Sequence, residues 1–95
     1  MATQKLMYII HIDKDFMKLE SIGFFTSLKI THDMINERIK KLLADNSDDN
    51  ITITRFKKHC YIAKGIDYDT NTPYTISIYI ESHRLNNMFV QLYNC

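Results

Sequence analysis

Three residues raise the possibility of acid–base chemistry. His11 and Asp13 lie at the end of the first apolar segment, and His83 follows the most regularly alternating segment of the chain. If these two segments pair as strands, two imidazoles and a carboxylate could serve as general base and general acid on a phosphodiester. The hypothesis of a small phosphodiesterase or nuclease therefore requires His11, Asp13 and His83 to lie close together. The alternative interpretation makes His11 a partly buried histidine of the core and His83 a surface residue of a turn.

An incomplete calcium-loop spacing occurs in the second half of the chain. Asp67, Asp69 and Asn71 have the spacing of the first three ligands of such a loop. Thr72 stands at the sixth position, where a glycine is needed, and Ile78 stands at the twelfth, where a bidentate glutamate is needed. We therefore interpret this segment as a polar turn and predict no metal site.

The histidine, cysteine and glycine residues do not complete a metal site, a nucleophilic site or a phosphate-binding loop. His59 and Cys60 are adjacent, so in a strand their side chains point to opposite faces and cannot easily share a metal ion. Gly23 and Gly65 stand alone, which leaves no glycine-rich loop to cradle a phosphate. Cys60 and Cys95 are the only two cysteines, and we expect both to be reduced. Apart from the histidine hypothesis, the sequence predicts no catalytic residue, metal ligand or cofactor.

A basic and aromatic segment at residues 55–64 is the most suggestive feature. Residues 51–95 carry five basic and three acidic residues, whereas residues 1–50 carry seven and eight. Cations can bind phosphates while rings stack on bases, so the segment is compatible with single-stranded nucleic acid. Exposed tyrosines on a sheet are equally typical of protein contact sites. The predicted partner-binding residues are Arg55, Lys57, Lys58, His59, Tyr61, Lys64 and Tyr79.

The hydrophobic periodicity predicts one helix and several strands. A helix over residues 31–46 has Thr31 as its N-cap and buries Ile35, Ile39, Leu42 and Leu43. The carboxylates of Asp45, Asp48 and Asp49 then form a solvated loop, which can present a negative patch to a basic partner. Strands are predicted over residues 5–13, 20–30, 51–56, 59–67 and 74–82, with a further short strand near 88–92.

The order β-β-α-β-β-β indicates an α+β domain. We expect one amphipathic helix packed on a mainly antiparallel sheet, in a β-grasp-like arrangement that spans residues 1–95 as a single domain. A ferredoxin-like fold is the alternative, and it would require residues 15–23 to form a helix.

Composition and charge narrow the function further. The 95 residues are 45% hydrophobic and 24% charged, with a net charge of +1, which argues against a histone-like binder and an acidic DNA mimic. No apolar segment approaches the ~20 residues of a membrane span, and the N-terminus does not resemble a signal peptide. We expect a cytoplasmic protein without membrane contact.

The predicted function is a small non-enzymatic protein-binding module. We expect an inhibitor or regulator, of a size typical of phage or mobile-element proteins, that docks on a larger protein or ribonucleoprotein. Single-stranded nucleic-acid binding through residues 55–64 is the alternative, and the phosphodiesterase is the second alternative.

Overall fold

One long helix and six strands form the part of the chain that the structure describes. The computed structural model describes residues 6–84 and 89–92. The elements are β1 Leu6–Lys14, β2 Met17–Phe25, α1 Leu28–Asp45, a 3-10 turn Ser47–Asp49, β3 Thr52–Lys57, β4 Cys60–Ile66, β5 Pro73–Arg84 and β6 Phe89–Leu92. The prediction of an α+β fold of order β-β-α-β-β-β is confirmed. Among the described residues, no helix has both the length and the apolar character needed to cross a membrane.

The sheet is antiparallel throughout, with the order β2-β1-β5-β4-β3. The short strand β6 pairs with the last residues of β5. The central β1–β5 pair runs without a register shift from Leu6 opposite Arg84 to Lys14 opposite Ile76. This unbroken register places the end of the first predicted strand beside the start of the fifth.

The ferredoxin-like alternative is wrong, because residues 17–25 form a strand and not a helix. β1 and β2 are joined by a two-residue turn, with Lys14 paired to Met17 across it. Closing the hairpin after Lys14 fixes the second segment as a neighbour of β1 and leaves no room for a crossover helix.

The helix begins three residues before the predicted start. Ser27, and not Thr31, is its N-cap, and the Ser27 hydroxyl accepts a hydrogen bond from the backbone N–H of Ile30 at 3.4 Å. The Thr31 hydroxyl instead donates to the carbonyl oxygen of Ser27 at 2.7 Å and is completely buried. His32 therefore lies in the second turn of the helix.

The core lies between α1 and one face of the sheet. Ile35 of α1 is fully buried, as are Ile10 of β1 and Ile80 of β5. Because side chains alternate along a strand, His11, Tyr79 and Glu81 project to the opposite face, which we call the far face.

Candidate functional site

His11 and His83, two of the three residues predicted for acid–base chemistry, are joined on the far face by Glu81, which the sequence did not indicate. The Nε2 atom of His11 lies 2.7 Å from Oε1 of Glu81, and Nε2 of His83 is bonded to the second oxygen of the same carboxylate. Burial alone would raise the pKa of Glu81, but the hydrogen bonds from the two histidines outweigh it and lower that pKa. Glu81 therefore holds the two imidazoles as an ionised carboxylate.

The tautomer of His11 follows from its other neighbours. The Lys18 ammonium lies 3.0 Å from Nδ1 of His11, and the Ser21 hydroxyl lies 2.9 Å from the same atom. An ammonium group can only donate, so Nδ1 is the acceptor and Nε2 carries the proton that it donates to Glu81. The lone pair that a general base would use is thus already occupied by Lys18. This arrangement orients the His11 ring within the sheet.

Asp13 belongs to a separate contact. The Tyr79 hydroxyl donates to Oδ2 of Asp13 at 2.9 Å, while Oδ1 of Asp13 is buried without a hydrogen-bond partner. Burial raises the pKa of Tyr79 to about 12, and the hydrogen bond to Asp13 adds to this effect. The carboxylate is therefore occupied by Tyr79, and the hydrogen bonds of the far face do not join it to the two histidines.

The predicted partner-binding residues lie on both sides of the sheet. Arg55 and Tyr61 are paired across β3 and β4 on the helix side, with the guanidinium 5.5 Å from the ring centroid. Lys64 and Tyr79 project to the far face by strand alternation. Lys57 and Lys58 are exposed near the β3–β4 turn, whereas His59 is only 7% exposed. The sheet thus separates these residues and does not bring them onto one surface.

His59 packs against the helix. Its Nδ1 lies 3.1 Å from Nε2 of His32, and the two ring centroids are 5.2 Å apart. The Tyr61 hydroxyl lies 3.0 Å from Nδ1 of His32 on the other side of that ring. We call His32 and His59 the histidine pair. The sequence did not reveal it, because its members are on different elements.

The neighbouring Cys60 corrects a further expectation. It is completely buried and disulfide-bonded, not a reduced thiol. Cys95 lies outside the described residues. The prediction that both cysteines are reduced is therefore wrong for Cys60.

The β1–β2 turn carries the most exposed large apolar side chain among the described residues. Phe16 is 106% exposed, and the following Met17 and Leu19 are 75% and 59% exposed. Asp15 and Phe16 both have positive φ, at 52° and 81°. We call Phe16, Met17 and Leu19 the hairpin tip.

The turn is held firmly to β5. The backbone N–H of Asp15 donates to the carbonyl oxygen of Thr75 at 2.9 Å, and the N–H of Thr75 donates to Oδ1 of Asp15 at 2.9 Å. These two bonds fix the turn, so Phe16 is presented on a rigid support.

An apolar groove continues from the hairpin tip toward α1. Its volume is about 230 Å³, and Leu19 forms part of its wall. Ile12, Ile76 and Leu42 also line the groove, and at its edge Arg38 of α1 forms an ion pair with Glu20 of β2. The hairpin tip and this groove together form an apolar surface with charged borders.

Carboxylates surround the same end of the sheet. Asp45, Asp48, Asp49, Asp67 and Asp69 line a common polar depression. The Tyr74 hydroxyl donates to Asp49 at 2.7 Å, and the Lys14 ammonium lies 4.6 Å from the centroid of the Tyr74 ring. These contacts connect the acidic loops to the end of β1, next to the turn.

The Asp67 segment forms the predicted polar turn. Its Oδ1 accepts the backbone N–H groups of Asp69 and Thr70 at 2.9 and 3.0 Å. These backbone hydrogen bonds, first that of Thr70, lower the pKa of Asp67. Across the described ranges, no set of three or more histidine, cysteine or acidic residues could hold a metal ion.

Comparison of the chain with protein-family models, with curated proteins and with solved structures gives no match.

Proposed function

We propose that the protein is a small non-enzymatic protein-binding module, an inhibitor or regulator, that docks on a larger protein through the hairpin tip. The observation that carries this proposal is Phe16, a fully exposed aromatic residue at positive φ. A left-handed backbone conformation costs an L-residue about 1–2 kcal/mol, and bulky residues are rare there. Two-residue hairpin turns of this kind usually place glycine at the second position.

Within residues 6–84 and 89–92, the Phe16 ring makes no packing contact that would offset the strain of its backbone at positive φ. A side chain at 106% exposure buries no surface against the described residues. Strained residues persist where function needs them, and aromatic side chains are enriched among the residues that dominate binding energy. The ring is therefore available for insertion into a partner, at low conformational cost because the turn is already fixed.

The surroundings of the hairpin tip define the chemistry of the partner. Phe16 would enter an apolar pocket on the partner, while the groove beside Leu19 would receive an apolar side chain in return. The acidic loops around Asp48 and Asp69 favour basic residues around that pocket, because opposite charges steer association. The expected partner is thus a protein surface with an apolar pocket and a basic border.

Site-specific photo-crosslinking tests this proposal. Benzoylphenylalanine at position 16 is expected to give a covalent adduct with one stoichiometric protein when the chain is expressed in its native host. The same group at position 56 is the matched control, because Phe56 is also exposed, at 55%, but lies on the edge strand β3. Protein adducts from position 56 and none from position 16 would overturn the assignment to the hairpin tip.

Nucleic-acid binding remains the second candidate, and one observation favours it. Phe56 is exposed beside the Lys57 ammonium, which lies 5.6 Å from the ring centroid, and Arg55 and Lys58 are exposed on the same segment. An accessible ring among cations can stack on a base while the cations bind phosphates.

Charge reversal tests the second candidate. If it is correct, the triple variant Arg55→Glu, Lys57→Glu, Lys58→Glu abolishes binding to a single-stranded oligonucleotide, and wild-type binding weakens steeply with salt. Fluorescence anisotropy with labelled oligo-dT and oligo-U measures both effects. The control reverses three exposed lysines of α1, which are Lys29, Lys40 and Lys41. Equal affinities for the wild type and the first variant would refute nucleic-acid binding by this segment.

A further inference from the structure

The histidine pair joins two elements that are far apart in the sequence. His32 lies in the second turn of α1, and His59 is the second residue of the two-residue β3–β4 turn. The 3.1 Å separation of Nε2 of His32 and Nδ1 of His59 corresponds to a hydrogen bond between the rings. Such a bond needs one protonated and one unprotonated nitrogen, so it cannot survive when both facing nitrogens carry protons.

We propose that the histidine pair is an acid-released latch between the first turns of α1 and the β3–β4 turn. Above the pH at which the rings titrate, the shared proton holds the two elements together. When both rings are protonated, two like charges and two donors face each other, and the contact opens.

The charged groups around the pair add to this effect. Arg55 on β3 and Lys58 in the turn are cations that face both rings, and Asp33 on α1 is the acidic residue that partly opposes them at His32. Tyr61 on β4 contributes a hydroxyl that lies 3.0 Å from Nδ1 of His32. Protonation of the second ring therefore adds a positive charge to a region that is already positive.

The pKa values change in the direction that the latch requires. Burial, followed by Arg55, lowers the pKa of His32, and burial, followed by His32, lowers the pKa of His59. The folded protein thus binds fewer protons than the unfolded chain, in which histidine titrates near 6.5. The stabilisation is complete above about pH 6.5 and is lost as the pH falls through the lower values of the folded state.

Nuclear magnetic resonance on the intact protein between pH 7.5 and 5 tests the latch. Both rings are expected to titrate below 6.5. Amide exchange in residues 28–35 and 57–61, corrected for its intrinsic pH dependence, should rise about fivefold or more as they do so, which is the effect of losing one hydrogen bond. The β1–β5 amides should stay protected.

Two variants distinguish the contribution of the histidine pair to the pH dependence of amide exchange from that of the other histidines. His32→Gln with His59→Asn keeps a neutral donor and acceptor and should make exchange in these segments independent of pH. His83→Gln leaves the pair intact and should retain the pH dependence. The proposal is overturned if either ring of the pair titrates at or above pH 6.5. It is also overturned if amide exchange in the two segments stays unchanged while both rings titrate. Both measurements use the wild-type protein, so they decide the question even if the double variant does not fold.

Discussion

Phe16→Gly is expected to stabilise the fold and at the same time to weaken docking. Glycine adopts positive φ without a steric penalty, and an Asp-Gly pair suits a two-residue hairpin turn. Because the Phe16 ring is completely exposed, its loss removes no packing within the described residues. We expect a gain of about 1 kcal/mol in the free energy of unfolding. Loss of a central aromatic anchor should weaken binding by about 30-fold or more.

Denaturant unfolding and calorimetric titration with the crosslinked partner, once purified, measure the two effects separately. Phe16→Ala removes the ring but keeps a Cβ at positive φ, so it should lose affinity without the full gain in stability. Phe56→Ala is the matched control on the opposite edge strand and should retain the wild-type affinity. Tight binding by Phe16→Gly would show that the hairpin tip is not the docking surface.

Ile35→Ala is expected to have the largest effect on stability. Ile35 is completely buried and belongs to the cluster that includes Ile10 and Ile80 of the sheet. Truncation of such a side chain removes transfer free energy and leaves a cavity, which together cost about 2–5 kcal/mol. Domains of this size are stable by only about 5–15 kcal/mol, so the variant would lose a large part of its stability.

Urea unfolding of the wild type and two helix variants measures this difference. Leu43→Ala is the control, because Leu43 lies on the same helix but is 38% exposed. Both substitutions introduce alanine, a good helix former, into α1, so a difference between the two losses of stability reflects the burial of the replaced side chain and not helix propensity. A loss for Ile35→Ala no larger than that for Leu43→Ala would contradict the position of the core.

The sequence alone determined the order and the type of most elements. The alternation over residues 74–82 predicted β5, and the spacing of Ile35, Ile39 and Leu42 predicted the buried side of α1. The prediction was wrong for Leu43, which was expected on that side but is 38% exposed. These predictions succeeded because the period of apolar side chains is a local property that burial on one face imposes. The ambiguous segment from Phe16 onward was harder, since the turn that closes the hairpin is not signalled by a glycine.

Only the tertiary structure decided which polar side chains meet. Alternation placed His11 on one face of β1, but the antiparallel register with β5 set Glu81 beside it, at a separation of 70 residues in the chain. The histidine pair likewise depends on how α1 packs on the sheet, with its N-terminal turns against the β3–β4 turn. The exposure of Phe16 has the same origin, because the bonds between Asp15 and Thr75 fix the turn. A side-chain period specifies a face, whereas the neighbours on that face are set by strand register and helix packing over long distances in sequence.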